Sequence, residues 1–345
     1  MTITTVGLDI AKQVIQVHAV DEQGKPVIRK SLKRQQVMPF FANLAPCLIG
    51  IEACGGAHDW ARRLKSLGHT VKLMAPQFVK PYVKTNKHDA ADAEAICEAV
   101  TRPSMRFVPI KSPEQQALQA LHRSRQSFVT ARTAQSNQIR GLLAEFGLVV
   151  PKGLATLRQK LHGILEDAEN ELPGTFRQLL DTLMNHLIEL DHRVDEITQR
   201  IEAIHRVNPL SRRLAQIPGI GPLIATALLA AIGDIQDFTN GRQLAAWLGL
   251  VPKQSSTGGK TKLLGISKRG DTYLRTLLIH GARSALTAAQ RSVKPDTPWV
   301  TKLAERRHPN IAAVALANKN ARIAFALLAH DRDYQPGYSP IQAIC

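Results

Sequence analysis

The chain has 345 residues, 44% of them hydrophobic, enough for a packed core in two or three domains. Lys and Arg number 45 against 28 Asp and Glu, a formal net charge of +17, and the isoelectric point is near 10.0. Such an excess points to a polyanionic partner, a nucleic acid rather than a membrane, since the run Leu223 to Ile232 is too short to cross a bilayer and no Lys-flanked apolar signal segment opens the chain.

Residues Thr2 to Ile10 (TITTVGLDI) are mostly β-branched and apolar and carry Asp9 next to their end. Val14 to Val20 alternates apolar and polar residues, Asp21 to Lys25 forms a turn, and PVIRKSL supplies a third strand, so the chain opens with a β-meander. A short helix includes Pro39 to Leu44, and CLIGIEA (Cys47 to Ala53) is a buried strand carrying Glu52. His58 to Gly68 is an amphipathic helix, and His69 to Ala75 is another strand. Three strands followed by alternating helices and strands, with an Asp on the first strand and a Glu on the fourth, is the layout of ribonuclease-H-like nucleases. Asp89 and Asp92 then stand three apart at the start of a helix within Thr85 to Val100, so both carboxylates share one face. Asp9, Glu52, Asp89 and Asp92 converging on one point would repel one another unless a cation joined them, and hard oxygen ligands suit Mg²⁺, with Mn²⁺ as its substitute. Asp59 and Glu94 read as solvated helix positions, while Lys87 and His88 stand at the helix entrance beside the site. Cys47, Cys54, Cys97 and Cys345 form no C-x-x-C pair, and they are expected as ordinary buried thiols in a reducing, cytoplasmic setting.

Pro113 to Phe146 carries no strand signal. Leu118, Leu121, Arg125, Phe128, Arg132, Gln135, Ile139, Leu142 and Phe146 recur at spacings of three and four. A second seam runs through Leu180, Leu183, Leu187, Leu190, Val194, Ile197, Ile201 and Ile204. These heptads predict a coiled coil or a long antiparallel hairpin, serving either as the core of one subunit or as a dimer interface. The polar positions of the first seam either bind nucleic acid or set pairing register.

In the last third, Gln216 to Asp234 places Pro-Gly-Ile-Gly between two helical runs, a helix-hairpin-helix pattern in which the turn at Gly219 and Gly221 offers backbone N–H groups to phosphate. Asn240 to Pro252 is a further helix, with Trp247 directed to the core. The segment KQSSTGGK then reads as a flexible surface loop, a phosphate cradle or the carrier of a nucleophile, with three hydroxyls beside two glycines, and Gly265 to Leu286 follows. Lys253, Lys260, Lys262, Lys268, Arg269 and Arg275 against the single acid Asp271 give a footprint for a phosphate backbone.

The segments GLDIAK, GIEACGG, KHDAADAEAI, IPGIGPLIA, LGLVPKQSSTGGK and GISKRGDTYLRTLLIHGAR resemble, in order and over roughly residues 3 to 330, the DEDD transposases of the insertion-sequence 110 family, most of all its 1111 subgroup. The fold class expected is therefore α/β plus all-α: an RNase H-like (RuvC-like) domain over 1–110, a coiled-coil helical arm over 111–207, a mostly helical transposase domain over 208–332 and a tail over 333–345. The resemblance implies a serine nucleophile, placed at Ser256 with Ser255 and Thr257 as its alternatives. It also implies an RNA-guided recombinase whose guide is a non-coding RNA from the element, acting on donor and target DNA. Members resemble dimers assembled into tetramers, in which one subunit's acids join another's serine, and the setting is a bacterial cytoplasm at the nucleoid. The rival expectations are a metal-dependent junction resolvase without a covalent intermediate and a non-catalytic nucleic-acid scaffold.

Overall fold

The computed structural model describes residues 2–84, 89–292 and 298–336, so Lys87, His88 and Cys345 lie outside the described residues. The chain forms two compact units. The first takes the residues up to Glu114 together with Ile232–Asp237, and the second takes Gln115–Ala231 and the residues from Phe238 onward. The return of Ile232–Asp237 to the first unit was not foreseen from sequence.

The first unit is built on strands β1 (Thr5–Ile10), β2 (Val14–Val20) and β3 (Pro26–Lys33), then helix α1 (Arg34–Ala42), β4 (Leu48–Glu52), α2 (Ala57–Ser66), β5 (Thr70–Met74), the short α3 (Pro76–Val79), α4 (Asp89–Val100) and β6 (Phe107–Val108). The sheet order is β3-β2-β1-β4-β5-β6. The meander is antiparallel, β1, β4 and β5 run parallel, and β6 closes the edge antiparallel. This mixed sheet is consistent with the RNase H-like expectation. The strand β6 has only two residues, too few for a period to register in the sequence.

Alternation divides the two faces of this sheet. Val6, Leu8, Ile49 and Ile51 point to a core shared with Phe41, Trp60 and Leu64 of α1 and α2. On α4 the buried Ala95, Ile96, Ala99 and Val100 form a second cluster with Met74 and Val79.

The second unit begins with three helices, α5 (Pro113–Glu145, whose first two residues belong to the first unit), α6 (Leu154–Glu166) and α7 (Gly174–Val207). At 33 and 34 residues, α5 and α7 are each about 50 Å long. They run antiparallel in one chain. Arg125 Nε donates to Thr198 Oγ1 at 2.7 Å, Arg132 Nη1 to Asp191 Oδ1 at 3.0 Å, and Gln135 Oε1 meets His186 Nδ1 at 3.1 Å. The numbers on α7 fall as those on α5 rise. Arg158 of α6 bonds the other oxygen of Asp191. Ile139, Leu143, Leu157, Leu161, Leu180 and Leu187 close one apolar cluster among the three helices. The polar positions of the first seam are thus spent on intrachain register.

Helices α8 (Pro209–Leu214), α9 (Pro222–Ala231) and α10 (Gly241–Trp247) precede strands β7 (Pro252–Thr257) and β8 (Lys260–Ile266); α11 (Thr272–Arg291), α12 (Pro298–Arg306) and α13 (Pro309–Ala329) follow. Trp247 is half-buried, edge-on to Phe238 at 5.6 Å. By length and composition alone α13 could cross a membrane, unlike the shorter run Leu223 to Ile232. In the fold it is a core helix: Ala313, Leu316, Ala317 and Ala321 are buried, and Asn320 Nδ2 donates to the Pro218 carbonyl at 2.8 Å.

A directed hydrogen-bond chain ties α5, α9 and α11. Burial pushes the His122 imidazole down to about 4, so it is neutral at pH 7. Thr226 donates to the Pro222 carbonyl at 2.7 Å and hence accepts from His122 Nε2 at 3.0 Å, which leaves His122 Nδ1 to accept from the Tyr273 hydroxyl at 3.0 Å.

Candidate active site

The acids owe their convergence to two glycines. Gly7 of β1 stands opposite Gly50 of the parallel β4. A Cβ on Gly7 would lie 2.1 Å from the Ala93 carbonyl oxygen, and one on Gly50 would lie 2.7 Å from Val100 Cβ. Only glycine allows so close an approach, so α4 rests directly on these two strands. Two residues further along, on the same face of each strand, come Asp9 and Glu52. The first turn of α4 supplies Asp89 and Asp92.

Carboxylate oxygens of Asp9, Asp89 and Asp92 all lie within 4.8 Å of one another. Glu52 stands outside this trio but within its field. Burial first, and then the charge of Asp92, hold its carboxyl above the usual range. Oxygens around an octahedral hard cation at about 2.1 Å stand about 3–4 Å apart, so a small contraction closes the trio. The donor set is all carboxylate oxygen, which fits Mg²⁺ or Mn²⁺.

Asp59 is exposed and Glu94 half-exposed, and both are paired with cations, Asp59 with Arg62 and Arg63 and Glu94 with Arg29, as expected of solvated positions. Cys54 is a correction. Cys47 and Cys97 are buried, but Cys54 is exposed. Burial of its sulfur, then Glu52 and Asp9, push its thiol upward.

The serine segment is also a correction. KQSSTGGK is not a flexible loop but the end of an antiparallel β7–β8 hairpin, its residues all exposed. Gly258 at φ +56° and Gly259 at φ +77° form the left-handed two-residue turn that matches the twist of paired strands. The signal was present as two glycines between Thr257 and Lys260, but the flanks lack an apolar face. Ser256 lies opposite Thr261, whereas Ser255 faces Lys262 and Thr257 faces Lys260. The three hydroxyls therefore divide between two faces. Gln254 Nε2 donates to Ser256 Oγ at 2.9 Å, and Thr261 Oγ1 is 3.3 Å away. Neither neighbour is a base.

Lys253, Lys260, Lys262, Lys268 and Arg269 are all exposed. Arg275, grouped with them by charge alone, is buried at 8% exposure. Its guanidinium donates to the Leu248 and Arg269 carbonyls and to Thr272 Oγ1, which spends it inside the fold. Gly219, at φ +90°, has a packing role: its Cβ would stand 2.7 Å from the Gly281 carbonyl of α11. Space is open around Gly221.

Two family models match the chain. One, described as "Transposase IS116/IS110/IS902 family", covers residues 211–296. The other, a DEDD-type IS110 transposase model, covers residues 6–147. A "Probable family 20 transposase" of Pseudomonas aeruginosa is 53% identical over 338 residues, spanning 98% of this chain and 100% of that protein. The transposase for insertion sequence element IS1111A of Coxiella burnetii is 44% identical, over 97% of this chain and 92% of its own. The transposase for IS1328 of Yersinia enterocolitica is 42% identical, over 94% and 96% respectively.

Proposed function

Because the chain belongs to the IS116/IS110/IS902 family of insertion-sequence transposases, enzymes that cut and rejoin DNA, we propose that it does so through a covalent phosphoserine at Ser256, with a divalent cation held by Asp9, Glu52, Asp89 and Asp92. The observation that carries the reading is the acidic trio within 4.8 Å on a glycine-spaced frame. Three carboxylates brought this close, all offering hard oxygen ligands, suit a metal ligand set better than a structural cluster.

Ser256 Oγ attacks a DNA phosphorus. The Oγ–P bond forms, the bond from phosphorus to one sugar oxygen breaks, and the hydroxyl proton leaves to solvent or a base while the departing strand takes up a proton as a hydroxyl end. The hydrogen bond donated by Gln254 orients Oγ without blocking its own hydrogen. Lys253, Lys260, Lys262, Lys268 and Arg269 hold the phosphate backbone. A divalent cation, when bound, supplies positive charge for the crowded phosphate oxygens. Because the phosphodiester energy is kept in the Oγ–P bond, rejoining needs no nucleotide cofactor.

The resemblance of the whole chain supports two further parts of this reading. An element-encoded guide RNA directs donor and target DNA, and the protein works as a dimer or tetramer at the bacterial nucleoid.

The test is a denaturing gel of reactions on labelled DNA with Mg²⁺. The wild type should retain label on protein. Asp9→Ala should lose cleavage, and Ser256→Ala should lose the adduct by about a thousandfold. Adduct undiminished in Ser256→Ala overturns the assignment. A second reading is favoured by the neighbours of Ser256 Oγ among the described residues, Gln254 and Thr261, neither of which is a base. In it the acid site alone hydrolyses DNA as a metal-dependent endonuclease, leaving free ends and no adduct.

A further inference from the structure

We propose that Lys268 and Arg269 form a pre-set clamp for a phosphodiester backbone, and that Arg275 is the positioning residue that holds the clamp in shape. The inference rests on the reading that this protein handles nucleic acid, and it adds how one stretch is built for that purpose.

Lys268 is one of three non-glycine residues with positive φ among the described residues, at +54°. The left-handed region is unfavourable for a lysine, and nothing about an exposed side chain requires it. The surrounding backbone imposes it. The Ser267 amide bonds the Val251 carbonyl at 2.8 Å, and the Lys268 amide bonds that of Gly249 at 3.2 Å. Gly249 and Gly270 press the two segments together, since a Cβ would stand 2.0 Å from the Arg269 oxygen at the first and 1.9 Å from the Trp247 oxygen at the second.

Arg275 completes the arrangement from beneath. Its Nη1 donates to the Arg269 carbonyl at 3.2 Å and to the Leu248 carbonyl at 3.5 Å, one on each of the two segments, and its Nη2 donates to Thr272 Oγ1 at 3.1 Å. The planar five-donor fork suits this bridging in a way that a lysine ammonium does not. Lys268 and Arg269 are exposed, and among the described residues no ion pair involves either. Two unneutralised cations on a strained but fixed backbone are arranged before the ligand arrives, so little ordering entropy is lost on binding. The ligand chemistry is the phosphate diester shared by DNA and RNA.

The experiment uses the full chain, binding labelled duplex DNA and, separately, single-stranded RNA across a salt series. Lys268→Gly should raise the melting temperature by about 2 °C as the strain is relieved, and yet weaken binding. For each phosphate contact removed, the salt slope should flatten by about 0.9 on duplex DNA and about 0.7 on single strands. Lys268→Ala should weaken binding without the thermal gain. Arg275→Met should weaken binding in the wild-type background and do nothing further in Lys268→Ala/Arg269→Ala. Arg275→Lys, should the Met variant not fold, is put through the same cycle. Weakening confined to DNA or to RNA identifies the ligand, and either supports the clamp. Unchanged affinity for both in Lys268→Ala/Arg269→Ala overturns it, as does an Arg275 effect of equal size in both backgrounds. Loss of binding without any adduct in the wild type would leave the clamp standing and remove the phosphoserine. An adduct with unaltered binding in the variants would do the reverse.

Discussion

At the scale of single residues, charge alone proved a poor guide to role. Arg275 and Lys268 count equally in a net charge, yet one is buried under three acceptors and the other is exposed. Burial is decided by partners such as Leu248, far enough along the chain that no local pattern displays them. Glu52 shows the same dependence on surroundings. Its carboxyl is raised by burial and then by Asp92, so the folded chain holds that proton more tightly than the unfolded chain does. The stability it contributes is full below the ordinary carboxylate range and is lost as pH rises through its raised value. Glu52→Gln should therefore melt higher than wild type in the absence of metal at neutral pH, with the gain vanishing in acid below the ordinary range. Thermal melts at two pH values check this. A variant that melts no higher at pH 7 would mean that Glu52 is not under the strain described.

At the scale of elements, the closeness of Asp9, Asp89 and Asp92 was legible because each acid sits on an element that its own local pattern marks. Gly7-Leu8-Asp9 and Gly50-Ile51-Glu52 repeat one pattern on two adjacent strands, a glycine under the helix followed by an acid at the strand end. The acids were recognised from sequence, but the glycines were not, because their need arises only when α4 lands on them. Gly7→Ala should cost about 1–3 kcal/mol in overpacking and lift the first turn of α4 from Asp9. Denaturant unfolding measures the first effect. Titration with Mn²⁺ measures the second, as affinity lowered by about tenfold. Retained affinity would show that the glycine spacing does not set the acid geometry. The β7–β8 hairpin was illegible for the opposite reason. Its residues are exposed almost throughout, so no buried face imprinted a period of two, and only the paired glycines marked the turn. The α5 and α7 seams were legible as heptads, but their closure inside one chain was not, since Arg132 and Asp191 are 59 residues apart.

At the scale of the whole molecule, a charge of +17 and the coverage of both family models agree on a nucleic-acid enzyme. How many chains act together is the part of the proposal that one sequence reveals least. If serine and acids come from different chains, a mixture of Asp9→Ala and Ser256→Ala proteins should recover a fraction of the strand exchange that each lacks alone. Light scattering should show a dimer or larger. A monomer, or no recovery on mixing, would confine the chemistry to one chain.

The central claim concerns one oxygen atom, and the chain happens to isolate it. Trypsin cutting after Lys253 and Lys260 releases Gln254-Ser255-Ser256-Thr257-Gly258-Gly259-Lys260, a peptide that holds all three candidate hydroxyls. Denatured reactions trimmed with nuclease, digested and fragmented in a mass spectrometer should show this peptide heavier by a phosphonucleotide, with the added mass on Ser256. The same mass on Ser255 or Thr257, or its absence from the peptide while DNA is cut, would contradict the account.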